Sequence, residues 1–155
     1  MARSSGAELA LLLLGGFHAL ADEVHAGLAR RGHEGVRPGH EFALRAIDAG
    51  ADTASELGRR LSVSKQAAAK TIAALQQFGY VERETDPDDA RRKRLRVTAR
   101  GHEMMRIGGA LFDEARDRWA ARIGAGQLEG VEAHLARLVG PRPQPLGGDD
   151  PTADV

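Results

Sequence analysis

Apolar side chains recur at helical spacing through most of the chain, and this pattern predicts a mainly α-helical fold. The first helix carries Phe17, Leu20, Val24 and Leu28, and its apolar face is too wide for a lone surface helix. We therefore expect this helix to pack on more than one partner. Helices are predicted over about 6–31, 40–49, 53–61, 65–78, 99–123 and 127–139.

The spacing changes after the fourth of these helices, where a small β-hairpin is predicted. Leu95 and Val97 alternate with arginines, which is the period of a strand, and Tyr80–Thr85 offers a partner strand. The connection Asp86-Pro87-Asp88-Asp89 has the composition of a turn. The second half of the hairpin is densely cationic and contains no acid: its cations are Arg91, Arg92, Lys93, Arg94, Arg96 and Arg100.

Two short helices directly before the hairpin predict a helix-turn-helix. Thr53 is a candidate N-cap of the first, and Glu56 three residues later completes the pattern of a capping box. Ser64 is a candidate N-cap of the second, which is expected to end at Gly79. A helix-turn-helix followed by a basic hairpin is a winged helix, and its second helix reads base edges in the major groove.

Composition and charge narrow the class of protein. A chain of 155 residues, 42% of them apolar, is long enough to bury a core. Cysteine is absent, which excludes disulfides, thiol chemistry and cysteine-bound zinc. The formal net charge is zero, whereas a protein that coats nucleic acid without sequence preference is usually basic. Positive charge is instead concentrated on the predicted winged helix, which indicates docking through one face.

The N-terminal segment is apolar and resembles a secretory signal, whereas the C-terminal segment has no apolar pattern. Arg3, the run Leu9–Leu14 and Ala19-Leu20-Ala21 resemble a secretory signal, but Glu8 adjoins the run and the apolar pattern continues past the supposed cleavage point. The run is also shorter than the roughly 20 apolar residues of a membrane span. We therefore expect a cytoplasmic protein. Residues 141–155 lack apolar periodicity and are expected to form a disordered tail.

These motifs resemble the MarR (multiple-antibiotic-resistance) family of transcriptional regulators. The resemblance rests on Ser55-Glu56-Leu57-Gly58, on Leu75–Arg83 and on the wing through Thr98-Ala99-Arg100-Gly101, and it extends loosely over residues 8 to 140. It implies one MarR-like domain over residues 1–140. Within that domain it implies dimerisation helices at 6–35 and 99–139 and a winged-helix DNA-binding lobe at 40–98.

The resemblance implies a double-stranded DNA partner, and the residues suggest how the second helix of the helix-turn-helix would read it. Gln66 is a candidate for pairing with adenine and Lys70 with guanine, while Ala67 offers only a small apolar contact. Specificity is then expected to depend also on groove shape and on the arginines. Phosphate contacts are expected at the start of this helix, from Ser62, Ser64 and Lys65.

The wing supplies the remaining candidates for DNA binding. In the family an aspartate two residues before an arginine braces the wing, and Asp89 and Arg91 match that spacing. Arg91 is assigned to this bracing or to insertion into the minor groove. Phosphate or groove contacts are expected from Arg92, Lys93 and Arg94.

The helices at the two ends carry more apolar surface than a small winged helix can cover, so a symmetric homodimer is expected. A monomer whose end helices only cap the core is the alternative. The resemblance also implies a pocket for a small-molecule effector, and its candidate lining residues are His18, Asp22, His25 and Arg45, with His40 nearby. A metal site is less favoured, because these residues lack a recognised ligand spacing, and no cofactor is expected. Core positions are expected for Phe17, Phe42, Met104 and Phe112.

Other classes of protein fit less well. An enzyme is not expected, because the chain has no glycine-rich phosphate loop, cysteine or nucleophile elbow. The favoured function is a ligand-responsive repressor that binds a palindromic operator as a homodimer. The alternative is a winged-helix interaction module that has lost specific DNA reading, since Ala67, Ala68 and Ala69 give the second helix few base-reading groups.

Overall fold

The computed structural model describes residues 5–140, which contain six helices and one antiparallel hairpin. The elements are α1 (Gly6–Ala29), α2 (Pro38–Asp48), α3 (Ala54–Leu61), α4 (Lys65–Gln77), β1 (Val81–Thr85), β2 (Lys93–Val97), α5 (Ala99–Ile123) and α6 (Ala125–Val139). This order confirms the predicted fold class, a mainly α chain with a winged helix-turn-helix. The predicted tail at 141–155 lies outside the described residues.

The chain divides into two compact units. Among the described residues, the terminal unit takes the chain up to Pro38 together with Ile107–Leu138, and the winged-helix unit takes Gly39–Arg106 together with Val139 and Gly140. The division inside α5 falls after Arg106, whereas the sequence interpretation ended the DNA-binding lobe at residue 98.

Local hydrogen bonds explain where the helices of the winged-helix unit begin. Thr53 Oγ1 accepts from the Glu56 amide (3.1 Å), and Ser64 Oγ accepts from the Ala67 amide (3.0 Å), so both predicted N-caps are confirmed. Of the capping box predicted at Thr53, only the bond from the Glu56 amide to the Thr53 hydroxyl forms. The Glu56 carboxylate accepts hydrogen bonds from Arg59 and Arg60 and not from the Thr53 amide. The complete capping box lies elsewhere, between Ser5 and Glu8 at the start of α1.

The hairpin follows α4 after a left-handed residue. Phe78 caps α4 and Gly79 follows with φ +76°, a conformation that glycine adopts without steric cost. β1 and β2 then pair from Val81 opposite Val97 to Thr85 opposite Lys93. Because side chains alternate along a strand, one face carries Val81, Leu95 and Val97 into the core and the other carries charged residues.

The start of α5 is held against the hairpin by close backbone packing. Thr98 Oγ1 donates to the Gly79 carbonyl (2.6 Å) and accepts from the Gly101 amide (3.1 Å), so Thr98 is the N-cap of α5. A Cβ at Gly101 would lie 2.4 Å from the carbonyl oxygen of Tyr80. The close approach therefore requires glycine at this position.

The core of the winged-helix unit collects buried side chains from each of its helices and strands. Burying each large aliphatic side chain contributes about 1.5–3 kcal/mol relative to leaving it exposed. The largest fully buried members include Leu44 of α2, Leu57 of α3, Leu75 of α4, Tyr80 before β1 and Met104 of α5. The core position predicted for Met104 is confirmed.

The terminal unit packs α1 against the later turns of α5. Gly27 lies so close to Leu111 that an added Cβ would be 2.7 Å from its methyl groups, and Gly16 lies against the Trp119 ring. Arg118 binds Glu23 of α1. The helix α6 is tied to α5 by a bidentate ion pair between Arg116 and Glu132 (2.6 and 2.8 Å).

Much of the apolar surface of this unit is exposed. The core position predicted for Phe17 is wrong, because its side chain is 44% exposed. The other large apolar residues exposed in the unit are Leu9, Leu11, Leu12, Leu13, Leu14, Ile123, Val131 and Leu138. By length and composition α1 would be apolar enough to cross a membrane, a test that core helices and signal sequences also pass. The sequence interpretation had counted only the run Leu9–Leu14.

Candidate nucleic-acid interface and effector pocket

The first turns of α4 present an exposed polar face. The side chains predicted to bind DNA here are all exposed: Ser62, Ser64, Lys65, Gln66, Ala67 and Lys70. Ile72 and Leu75 anchor the opposite side of the helix in the core. The Ser64 hydroxyl is already used as the N-cap, so a phosphate at this site would meet the free amides of the first turn and the ammonium of Lys65.

The turn between α3 and α4 is tight for two structural reasons. Ser62 caps α3 in the left-handed region (φ 56°), where non-glycine residues are uncommon. Gly58 approaches the Val63 carbonyl oxygen so closely that a Cβ would lie 2.9 Å from it. These contacts set the position of the N-terminus of α4, where the candidate base-reading residues lie.

The tip of the wing is shaped by backbone hydrogen bonds that the aspartates organise. Asp89 Oδ1 accepts from the Arg91 amide (3.0 Å), and the Arg92 amide donates to the Asp89 carbonyl (3.0 Å). Asp86 Oδ1 accepts from the Asp88 amide (2.9 Å). Asp89 thus braces the turn through the backbone of Arg91. Within residues 5–140, the exposed guanidinium of Arg91 has no hydrogen bond or ion pair.

The other wing cations are paired within the winged-helix unit. Arg92 Nη2 donates to both carboxylate oxygens of Asp52 (3.0 and 3.1 Å), and Lys93 Nζ donates to Thr85 Oγ1 (3.0 Å). Arg94 Nε and Nη2 donate to Glu84 Oε1 (2.9 and 2.8 Å), a bond that raises the pKa of the Arg94 guanidinium. Arg96 binds both Glu82 and Glu84.

Sequence reasoning missed these pairs, although part of the signal was present. No acidic residue lies within the cationic segment from Arg91 to Arg96. On the partner strand, however, Glu82 lies directly opposite Arg96 and Glu84 directly opposite Arg94. Writing out the antiparallel register of the hairpin would have found these two. No local signal points to Asp52, which lies 40 residues before Arg92.

Three of the predicted effector-binding residues line one cavity of about 580 Å³ in the terminal unit. His18, Asp22 and His25 line it from α1, and Arg37 and Phe17 contribute to the wall. His25 Nε2 is buried and has no hydrogen-bond partner in the described part of the chain. Burial lowers the pKa of His25 and Arg37 lowers it further, against an opposing effect of Asp22. His25 therefore lines the cavity as a neutral imidazole, and within the described residues its buried Nε2 keeps an unused capacity for a hydrogen bond.

Arg45, the fourth predicted effector-binding residue, does not line this cavity. Its guanidinium donates to Glu41 Oε1 (2.7 and 3.2 Å) and to the Met105 carbonyl (3.3 Å) in the winged-helix unit. Glu41 is buried, which raises its pKa against the opposing effect of Arg45. His40, the nearby histidine, packs its ring against Phe78.

The remaining candidate groups are a histidine–carboxylate pair and possible metal ligands. His102 Nε2 lies 2.8 Å from Asp48 Oδ1, an exposed pair that links α5 to the end of α2. Among the described residues, no three His, Asp or Glu side chains are grouped to hold a metal ion.

Comparisons with known proteins agree with this geometry. The sequence model of the MarR family matches residues 35–92, and a search of curated protein sequences finds no match. A MarR family protein of Mycobacterium tuberculosis, solved in complex with p-aminosalicylic acid, is 26% identical with a TM-score of 0.63. The alignment covers 85% of this chain and 98% of that one.

Two more distant structures share the fold. CouR of Rhodococcus jostii, bound to p-coumaroyl-CoA, is 18% identical with a TM-score of 0.66 over 91% of this chain and 98% of that one. A variant of MepR from Staphylococcus aureus, bound to an oligodeoxyribonucleotide, is 16% identical with a TM-score of 0.55 over 84% and 95%. Together with the winged helix, the family model that matches residues 35–92 supports a MarR-family winged-helix transcription regulator.

Proposed function

We propose that the protein is a cytoplasmic, ligand-responsive repressor that binds a palindromic operator as a homodimer. The observation that carries this proposal is the surface of the winged-helix unit. There the exposed first turns of α4 and Arg91, which has no partner within residues 5–140, belong to one compact body. A helix and an adjacent basic hairpin are the two parts that a winged helix places in neighbouring grooves of a duplex.

On operator DNA, α4 enters the major groove. Gln66 pairs with adenine and Lys70 with guanine, while Ala67 contacts a thymine methyl group. Ser62, Ser64 and Lys65 hold phosphate at the start of the helix. Arg91 inserts into the minor groove and Asp89 supports its turn. Further groove or phosphate contacts come from Arg92, Lys93 and Arg94, which must first leave their partners in the free protein.

A second copy of the chain covers the apolar surface of the terminal unit. Leu11 and Leu12 are 66% and 69% exposed on α1, and Leu138 of α6 is 81% exposed. An apolar patch of this kind is a liability for a monomer and is typical of an interface. A two-fold dimer buries the same patch on both copies and places two α4 helices about one turn of DNA apart, ~34 Å.

The effector binds in the cavity lined by His18, Asp22 and His25. A ligand hydroxyl or carbonyl satisfies His25 Nε2, and Arg37 favours a ligand that carries negative charge. Relatives with this fold bind p-aminosalicylic acid and p-coumaroyl-CoA. Ligand occupancy shifts the population of dimers away from the spacing that fits the operator and thereby releases DNA.

The alternative function is an interaction module without sequence preference. It is supported by the exposed Ala67 and Ala69, which occupy α4 positions where base-reading side chains would stand. This alternative predicts normal dimers that bind all duplexes equally.

Selection of bound duplexes from a random-sequence pool separates the two functions. We expect an enriched palindrome whose half-sites lie about 10 base pairs apart. Gln66→Ala should relax the preference at one position of each half-site, while the matched control Gln76→Ala, in the last turns of the same helix, should leave the motif unchanged. A pool that stays random after repeated rounds would contradict operator reading.

A further inference from the structure

The arginines of the wing are surrounded by acids that come from outside their own run of sequence. Asp52, Glu82 and Glu84 together bind Arg92, Arg94 and Arg96. We propose that these three acids compete with DNA phosphate for the wing arginines and so weaken binding to duplexes that lack the operator. The inference rests on the proposed DNA-binding function and concerns its specificity.

Glu84 is the centre of this arrangement. Its Oε1 accepts two hydrogen bonds from Arg94, and its Oε2 forms an ion pair with Arg96 Nε (3.0 Å), so one carboxylate holds two guanidinium groups. The register places Glu84 directly opposite Arg94 and Glu82 directly opposite Arg96. The charged face of the hairpin is therefore a ladder of two acids and two bases with no net charge, despite its arginine-rich sequence.

Asp52 extends the same effect to the tip of the wing. It lies just before the cap of α3 and binds Arg92 of the wing through both carboxylate oxygens. This contact joins two parts of the winged-helix unit that are far apart in sequence. Arg91, next to Arg92, is left as the exposed guanidinium without a hydrogen bond or ion pair in the described chain.

These pairs are suited to tuning DNA affinity. The arginine and carboxylate side chains are 26–53% exposed, and exposed ion pairs are weak and screened by salt. A phosphate held at the right place can therefore displace a carboxylate. Operator DNA, fixed by α4 in the major groove, presents phosphates at constant positions, whereas an unrelated duplex does not. The acids thus oppose non-operator binding more than operator binding, which raises the specificity ratio.

The chain contains a matched control for charge alone. Asp88 is exposed in the turn of the same hairpin, and its carboxylate has no hydrogen bond or ion pair within residues 5–140. Replacing any acid near DNA reduces its repulsion of phosphate. Only replacement of an acid that holds an arginine also releases a cation.

The experiment compares the full-length protein with Glu84→Gln, Asp52→Asn and Asp88→Asn on a random-sequence 30-base-pair duplex across a range of salt concentrations. Each released arginine that reaches a phosphate should steepen the log–log salt dependence by about 0.9. For Glu84→Gln and Asp52→Asn we expect binding about twofold to fivefold tighter than wild type, the range for release of an exposed pair. Asp88→Asn should give a smaller gain and an unchanged slope.

A double-mutant cycle completes the test. In a background with Arg94→Gln and Arg96→Gln, the gain from Glu84→Gln should fall to that of Asp88→Asn, because no guanidinium remains to be released. A gain that persists in this background, or equal effects of Glu84→Gln and Asp88→Asn, would overturn the inference while leaving the DNA-binding function intact. Failure of wild type and all variants to bind any duplex at low salt would instead reject the proposed function together with the inference. Circular dichroism confirms that the variants are folded.

Discussion

The winged-helix unit and the terminal unit differ in how far their large apolar side chains are exposed to solvent. The first buries Leu44, Leu57 and Leu75 completely and presents exposed charged groups. The second contains nearly all of the exposed large apolar side chains in the described chain. Only Val63 and Val139 belong to the winged-helix unit. A unit that has completed its own core fits a charged partner such as DNA, whereas a unit with an incomplete core fits an apolar partner.

The largest expected difference between the units concerns stability. Leu75→Ala in the winged-helix unit should lower the free energy of unfolding by about 2–5 kcal/mol at any protein concentration, because it leaves a cavity in a closed core. Leu12→Ala should destabilise only through lost association, so its effect should shrink on dilution. Urea unfolding at several protein concentrations checks both, and a Leu12→Ala effect independent of concentration would contradict the comparison.

The next effect concerns association of the terminal unit. Leu12→Glu should weaken the dimer, since each copy loses about 1.5–3 kcal/mol of apolar burial and places a charge in the interface. Sedimentation equilibrium measures the dissociation constant. Val63→Glu is the control: it adds the same charge at an exposed apolar residue of the winged-helix unit and should leave the dimer unchanged. Equal dissociation constants for the two variants would place the interface elsewhere.

A smaller effect is expected from glycines at close contacts. Gly101→Ala should cost about 1–3 kcal/mol, because the new methyl group meets the Tyr80 carbonyl, which is held by backbone hydrogen bonding to Thr98. Gly27→Ala in the terminal unit should cost less, since it meets the movable end of the Leu111 side chain. Gly130→Ala in α6 meets nothing and should stabilise by about 0.5–1 kcal/mol. Thermal unfolding ranks the stabilities of the three variants. A larger loss of stability for Gly27→Ala than for Gly101→Ala would contradict the expectation that the Leu111 side chain moves more easily than the Tyr80 carbonyl.

The smallest effect is a pH dependence in the terminal unit. Because burial lowers the pKa of His25, the unfolded chain binds the proton more tightly than the folded one. The contribution of neutral His25 to stability is therefore fully present above its unfolded pKa of about 6.5 and is lost as the pH falls through the lower folded value. The stability difference between wild type and His25→Gln should move in favour of the variant between pH 7.5 and 5.5. A difference that stays constant would show that His25 is not buried as a neutral group.

Features that depend on near neighbours in the chain could be predicted. Thr53 and Ser64 were identified as caps because a cap bonds an amide three residues away. The hairpin was predicted from the alternation around Leu95 and Val97, both of which are buried. The same local reasoning missed the extra helical residues before Gln127, since α6 begins at Ala125 directly after Gly124.

Features of the candidate site that depend on distant residues were not predicted. From the sequence, the arginines of the wing were interpreted as free cations. In the structure they pair with Asp52, Glu82 and Glu84, which lie in other segments of the chain. Phe17 followed the helical apolar pattern, but the structure leaves it exposed in the wall of the candidate effector cavity. Periodicity shows which residues share a face, and it does not show whether another element covers that face.

By itself, the amino-acid sequence determined the order of helices, the helix-turn-helix with its basic hairpin, and the placement of Gln66 and Lys70 at the start of α4. These follow from caps, turn residues and side-chain periods, whose interactions span only a few residues. Tertiary structure alone decided that, within residues 5–140, Arg91 has no hydrogen bond or ion pair while Arg92 is held by Asp52, and that the buried Nε2 of His25 has no hydrogen-bond partner there. Such outcomes depend on which side chains packing brings within bonding distance, and that information is distributed over the whole chain.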